Sequence, residues 1–192
     1  MIRAAWLLIA AALSSTLLVA DPTEAQQRPR YGGELVFPVP SEPPSYDGHR
    51  EGTFGTVHPL APHYNTLLRM DPVDRTGTRP VPDLAESWTI SPDGMTYTLK
   101  LRQGVRFHDG SPMTSRDVKA SYDKIIFPPA GIISARKGTY QAVEVVEAPD
   151  PATVRFRLKW PEASFLVNLA SPIAGSTRRT SWPRTYAGTR RT

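Results

Sequence analysis

Apolar and polar positions alternate most clearly between residues 85 and 101. Trp88 and Ile90 fall on one side of an extended chain, ahead of Ser91-Pro92-Asp93-Gly94, a run of turn-forming residues. Beyond it Tyr97, Leu99 and Leu101 alternate with Thr96, Thr98, Lys100 and Arg102. A period of two on both sides of a turn predicts a β-hairpin with one buried face. A second hairpin is predicted where Glu144 to Ala148 and Thr153 to Leu158 flank Pro149-Asp150-Pro151. There Val154, Phe156 and Leu158 alternate with Arg155, Arg157 and Lys159. Between the hairpins the period lengthens. Thr114 offers an N-cap with Asp117 three residues on. Val118, Tyr122, Ile125 and Ile126 then recur at helical spacing until Pro128-Pro129 stops the helix. Phe165, Leu166 and Leu169 predict a short helix within Pro161 to Ala170.

The remaining stretches are less regular. Glu34-Leu35-Val36-Phe37 predicts a first strand, closed by Pro38 and Pro40. Ser41 to Gly52, with Pro43-Pro44 and Asp47-Gly48, predicts a loop. Tyr64, Leu67 and Leu68 predict one or two helical turns between Pro62 and Met70. Asp71 to Pro82 is expected to be loop. Val105 to Phe107 predicts a short strand, followed by a tight turn at His108-Asp109-Gly110. No segment repeats at a fixed period. The expected class is α+β, with antiparallel hairpins and short helices.

Both ends differ from this body. Arg3 precedes an apolar run from Ala4 to Ala20, and small residues follow it. This is the layout of a secretory signal over residues 1–25, cleaved after Ala20 or after Ala25. The apolar core is shorter than the roughly 20 residues of a membrane-spanning helix. Export then puts the mature chain in an aqueous compartment outside the cytoplasm. At the other end, residues 173–192 carry Arg178, Arg179, Arg184, Arg190 and Arg191 without an acidic residue or a periodic apolar pattern. That segment is expected to be a disordered basic tail.

This layout changes the meaning of the net charge. The chain has 192 residues and a formal charge of +5. Residues 26–172 hold 17 basic and 16 acidic side chains, so the excess belongs to the tail. A nucleic-acid partner would have to rest on the tail alone, and none is expected. The sequence has no Cys, which excludes disulfides, thiolate metal sites, a cysteine nucleophile and a lipid-anchoring cysteine. The 20 prolines favour short elements joined by turns.

Candidate chemistry is sparse. His58 and His63 are five apart with prolines beside them, which is no metal-ligand spacing. His108-Asp109 has the composition of a base–orienter pair, but next to Gly110 it is better read as a turn whose Asp accepts backbone N–H groups. No nucleophile elbow, phosphate loop or paired acids appear. No catalytic residue, metal or cofactor is therefore expected, and the chain is not expected to be an enzyme. Two other readings remain: a small secreted hydrolase using His108 and Asp109, and a secreted interaction module acting through the arginine tail.

One long stretch carries a family resemblance. It comprises Pro82-Asp83-Leu84-Ala85-Glu86-Ser87-Trp88, then Ser91 to Arg102, then Gly104-Val105-Arg106-Phe107-His108-Asp109-Gly110-Ser111-Pro112 through Val118. It closely resembles the signature of family 5 bacterial extracellular solute-binding proteins, the peptide-, dipeptide- and nickel-type receptors of ABC importers. Tyr31 to Val36 with Ser41 to Ser45, and Ala148 to Phe156 with Pro161 to Leu166, resemble neighbouring parts of the family in the same order.

The resemblance covers residues 31–172. It implies the N-terminal portion of a type II periplasmic binding protein over residues 26–172, from a two-lobed α/β fold with an additional subdomain. It also implies a peptide or other small solute as ligand, membrane permease subunits as partners, and a periplasmic location. It places Ser41 to Tyr46 where the family's chain enters the cleft between lobes, so Glu42, Ser45 and Tyr46 are the candidate ligand-lining residues.

Such receptors are roughly three times longer. The abrupt change after Pro172 is therefore expected to reflect a truncated chain, either an out-of-frame end or a fragment, which need not function. A chain so cut is expected to leave the apolar faces of its hairpins partly exposed.

Overall fold

The computed structural model describes residues 32–34 and 36–171. The proposed signal segment and the arginine tail lie outside the described residues. The chain divides into two units after Phe37. Of the first, residues 32–34, 36 and 37 are described, and none is in a strand. This corrects the first strand expected at Glu34 to Phe37. An extended segment becomes a strand only when its backbone N–H and C=O groups enter a ladder. Glu34, Val36 and Phe37 enter none, and Val36 is 82% exposed.

The second unit is built on an antiparallel four-stranded sheet. Its strands are β3 (Ala85–Ile90), β4 (Thr96–Leu101), β5 (Val143–Asp150) and β6 (Thr153–Leu158), in the order β3-β4-β6-β5. The two hairpins pair with each other through Tyr97 opposite Phe156 and Leu99 opposite Val154. The Ser91–Gly94 turn is closed by the Gly94 N–H to the Ser91 carbonyl at 2.9 Å, with Gly94 at φ +69°. Glycine adopts that left-handed conformation without steric cost. Tyr97, Leu99, Leu101, Val154, Phe156 and Leu158 are all buried. The opposite face is polar and carries the ion pairs Arg155–Glu147 and Arg157–Glu144, each at 3.3 Å.

Two helices cover the apolar face. The longer, α2 (Ser115–Ile126), begins as its sequence predicts. The Asp117 carboxylate accepts the Thr114 N–H at 3.0 Å and the Thr114 hydroxyl at 2.8 Å. Val118, Tyr122, Ile125 and Ile126 face inward. The shorter, α3 (Phe165–Leu169), buries Phe165 and Leu169. Between sheet and helices the rings of Tyr122, Phe156 and Phe165 meet, at centroid distances of 5.0 Å for Tyr122–Phe156 and 5.4 Å for Phe156–Phe165. Most of the hairpins' apolar surface is thus covered within this chain. Its partial exposure holds only at the edge strand β3, where Ile90 is 46% exposed.

Three further expectations are corrected, two before this sheet and one between β4 and β5. The spacing of Tyr64, Leu67 and Leu68 predicts helical turns between Pro62 and Met70, but the helix lies earlier. It is α1 (Phe54–Leu60), continued by a 3₁₀ turn over Ala61–His63. Residues 64–67 are not helical, because the carbonyls of Thr66 and Leu67 pair with a distant segment. The Leu84 and Ala85 N–H groups donate to the Thr66 and Leu67 carbonyls at 3.1 and 2.9 Å. Asp71 to Pro82 is not all loop either, since β1 (Leu68–Met70) pairs with β2 (Pro80–Pro82). The prolines of β2 sit in a two-stranded sheet, where each residue needs to pair on one side only. Val105 to Phe107 gives an isolated bridge from Arg106 to Pro112 in place of a strand.

The loop between β1 and β2 is organised by one carboxylate. Asp74 accepts the Thr76 hydroxyl at 2.7 Å and the N–H groups of Thr76, Thr78 and Arg79 at 2.9 to 3.1 Å. The Thr76 hydroxyl and N–H are the leading reasons that its pKa is held down to about 2 from 3.8. A depressed carboxylate pKa stabilises the fold above the unfolded value, and the contribution disappears as pH falls through the folded value. A carboxyl-carbon NMR titration should therefore show Asp74 titrating near 2 in the folded chain. Protection of the Thr76 and Thr78 amides should fall with it.

Candidate functional site

The loop that carries the candidate ligand residues runs through residues 38–52 without regular structure. Its organising residue is Asp47. The Arg50 and Glu51 N–H groups donate to the Asp47 carbonyl at 3.0 and 3.1 Å. The His49 N–H donates to Asp47 Oδ1 at 3.0 Å, and the Asp47 N–H donates to Ser45 Oγ at 3.3 Å. Short polar side chains that bond backbone N–H groups two residues away stabilise such turns.

A long-range ion pair fixes this turn to the sheet-packed helix. Lys124 of α2 donates to Asp47 Oδ1 at 3.2 Å and to Oδ2 at 3.0 Å, with its side chain 8% exposed. Burial alone would raise the Asp47 pKa. The hydrogen bond and charge of Lys124, with the His49 N–H, outweigh it and hold the carboxyl below the ordinary aspartate value. His49 is itself buried, and its carbonyl accepts the Ala135 N–H at 3.2 Å.

Helix α1 closes the loop from another side. Gly55 is buried, and a Cβ at that position would fall on the Ser41 hydroxyl and 3.0 Å from the Ser41 carbonyl oxygen. Only glycine lets the two backbones approach so closely. Farther along, Leu60 Cδ1 lies 3.5 Å from where a Cβ on Gly48 would stand.

The three candidate residues lie on this one loop, in different settings. Glu42 is exposed, and Tyr46 is 72% exposed. Ser45 is half-buried, and its hydroxyl serves the loop's own turn. Sequence reasoning missed the residues that hold them: Asp47, Gly55 and Lys124. Asp47-Gly48 reads locally as a turn, and Lys124 lies off the apolar stripe of α2, where a lysine reads as solvated. Nothing local marks a pairing across 77 positions.

The other sequence candidates have ordinary settings. His108 and Asp109 are both exposed in a tight turn. The Asp109 carboxylate accepts the Ser111 N–H at 3.0 Å and its hydroxyl at 2.7 Å, as the turn reading requires. The His108 ring lies edge-on to Tyr64 at 6.4 Å. Among the described residues no group of three or more His, Asp or Glu could hold a metal ion. Among them, too, no helix is long and apolar enough to cross a membrane.

The architecture has many relatives of known structure. A periplasmic binding protein AgaA from A. tumefaciens R10, solved with agropinic acid, superposes with a TM-score of 0.65 at 30% identity, covering 79% of this chain and 29% of that one. The periplasmic binding protein DppA from Helicobacter pylori, in complex with the peptide STSA, gives 0.63 at 27% identity, over 72% and 30% of the two chains. Residues 79–189 match the family described as bacterial extracellular solute-binding proteins, family 5 Middle. The chain belongs to this family. It is a family of binding proteins and not of enzymes.

The family match takes in the four-stranded sheet and α2 with Lys124, and starts after the loop at residues 38–52. It runs past Pro172, where the resemblance read from the sequence stops. Among curated family relatives, the glutathione-binding protein GsiB of Escherichia coli K12 is 43% identical over 89 residues, which is 46% of this chain and 17% of GsiB. GsiB of Salmonella typhimurium shows the same identity and coverage. The chain therefore spans about a sixth of the length of these curated relatives and about 30% of the solved structures.

Proposed function

We propose that this chain serves as a periplasmic substrate-binding component of an ABC importer for peptides or similar small solutes, delivered to membrane permease subunits. Its loop at residues 41–46 forms one wall of the ligand site. One observation carries the ligand-wall reading. Glu42 and Tyr46 are exposed on a loop whose base is held by the ion pair of half-buried Asp47 with buried Lys124. Polar and aromatic groups fixed on a firm base lose little freedom when a ligand arrives. Glu42 offers carboxylate oxygens to the ammonium group of a peptide, and Tyr46 offers a ring face and a hydroxyl. Ser45 sets the turn between them. Glutathione-, peptide- and dipeptide-binding relatives support this class of ligand.

The reading is tested by substituting the two exposed residues and titrating with glutathione. A hydrogen bond to a charged group contributes about 1.5–3 kcal/mol. Glu42→Gln should therefore weaken binding about tenfold or more. Tyr46→Ala should weaken it as well, and neither change should alter thermal stability. Unchanged affinity in both variants would overturn the assignment of this loop.

A further inference from the structure

We infer that Lys124 is a positioning residue: through Asp47 it sets where Tyr46 stands. This rests on the reading of residues 41–46 as a ligand wall.

Lys124 is an expensive choice for α2. Its side chain is 8% exposed, and an apolar residue of similar size would occupy the place at lower cost in desolvation. The helix does not depend on it for attachment. Val118, Tyr122 and Ile125 are fully buried, and the Ser115 N–H donates to the Pro151 carbonyl at the hairpin turn at 2.9 Å. What Lys124 adds is two charge-assisted hydrogen bonds to a residue 77 positions away.

Their recipient is the organising residue of the loop. Asp47 is bonded on both sides: its N–H to Ser45 Oγ, its carboxylate to the His49 N–H, its carbonyl to Arg50 and Glu51. Tyr46 is the residue between Ser45 and Asp47, so the Tyr46 backbone cannot move without disturbing this set. A further long-range backbone tie of the turn is the Ala135 N–H to the His49 carbonyl, on the far side of Asp47 from Glu42. A rigid helix, a buried cation and one aspartate thus form a continuous link from the sheet to Ser45 and Tyr46.

The experiment compares Lys124→Met and Lys124→Arg in the full chain by amide hydrogen exchange and by glutathione titration. A third variant, Asp47→Asn with Lys124→Met, leaves no unpaired charge and serves if the first fails to fold. Lys124→Met, or the double variant, should speed exchange of the amides at residues 47–51 at least tenfold. The amides of β4 should stay within twofold, and glutathione affinity should fall about tenfold. Lys124→Arg keeps the charge and should restore both readouts to near wild type. Exchange at 47–51 unchanged in the Met variants, or rising equally in β4, overturns the link. Faster loop exchange with unaltered glutathione affinity overturns the positioning role. If wild-type chain binds glutathione without involving residues 42–46, the ligand-wall reading fails and the positioning role fails with it. The exchange data then still decide whether Lys124 holds the loop.

Discussion

Phe156→Ala should destabilise the fold by about 3–5 kcal/mol. Phe156 has no exposed surface and stands at the centre of β6, opposite Tyr97 on one side and Val146 on the other. Its ring meets Tyr122 of α2 at 5.0 Å, edge to face, and Phe165 of α3 at 5.4 Å. The two hairpins and both covering helices therefore converge on one side chain. Truncation removes the transfer energy of the ring and leaves a cavity that the sheet backbone cannot close. A urea denaturation series checks this. A loss below about 1 kcal/mol would mean that the helices do not pack on the sheet as described.

Gly55→Ala should have an effect of a different kind. The new methyl group would stand 3.0 Å from the Ser41 carbonyl oxygen and on the Ser41 hydroxyl. The hydroxyl can rotate, but the carbonyl is backbone, so the loop or α1 must shift. Overpacking of this kind costs about 1–3 kcal/mol. The strain falls beside Glu42, so glutathione affinity should drop more than the loss of global stability alone would suggest. Thermal melts and calorimetric titration of the same variant separate the two. Unchanged affinity with lowered stability would show that α1 does not support the candidate ligand loop.

The parts of this fold that could be read from sequence are those with local causes. The Ser91–Gly94 turn, the alternation of Tyr97, Leu99 and Leu101, and the Thr114–Asp117 cap each act within a few residues, and each is where the sequence placed it. The misread parts depend on distant partners. Leu67 and Leu68 fit a helical spacing, but their segment is drawn into extended pairing with residues 80–85. Pro80 and Pro82 hide a strand, because proline argues against one unless the pairing geometry is known. The loop of Glu42, Ser45 and Tyr46 was legible as a loop and, through the family resemblance, as a candidate site. Its support was not, because Asp47 and Lys124 are joined only by the fold.

The most direct measurement is a residue-resolved NMR titration of the full chain with glutathione. Saturable shifts should concentrate on the amides of residues 41–49, with little change in β4 and β6. Shifts that gather elsewhere, at His108 to Ser111 for instance, or that fail to saturate, would contradict the assignment of this loop as a ligand wall.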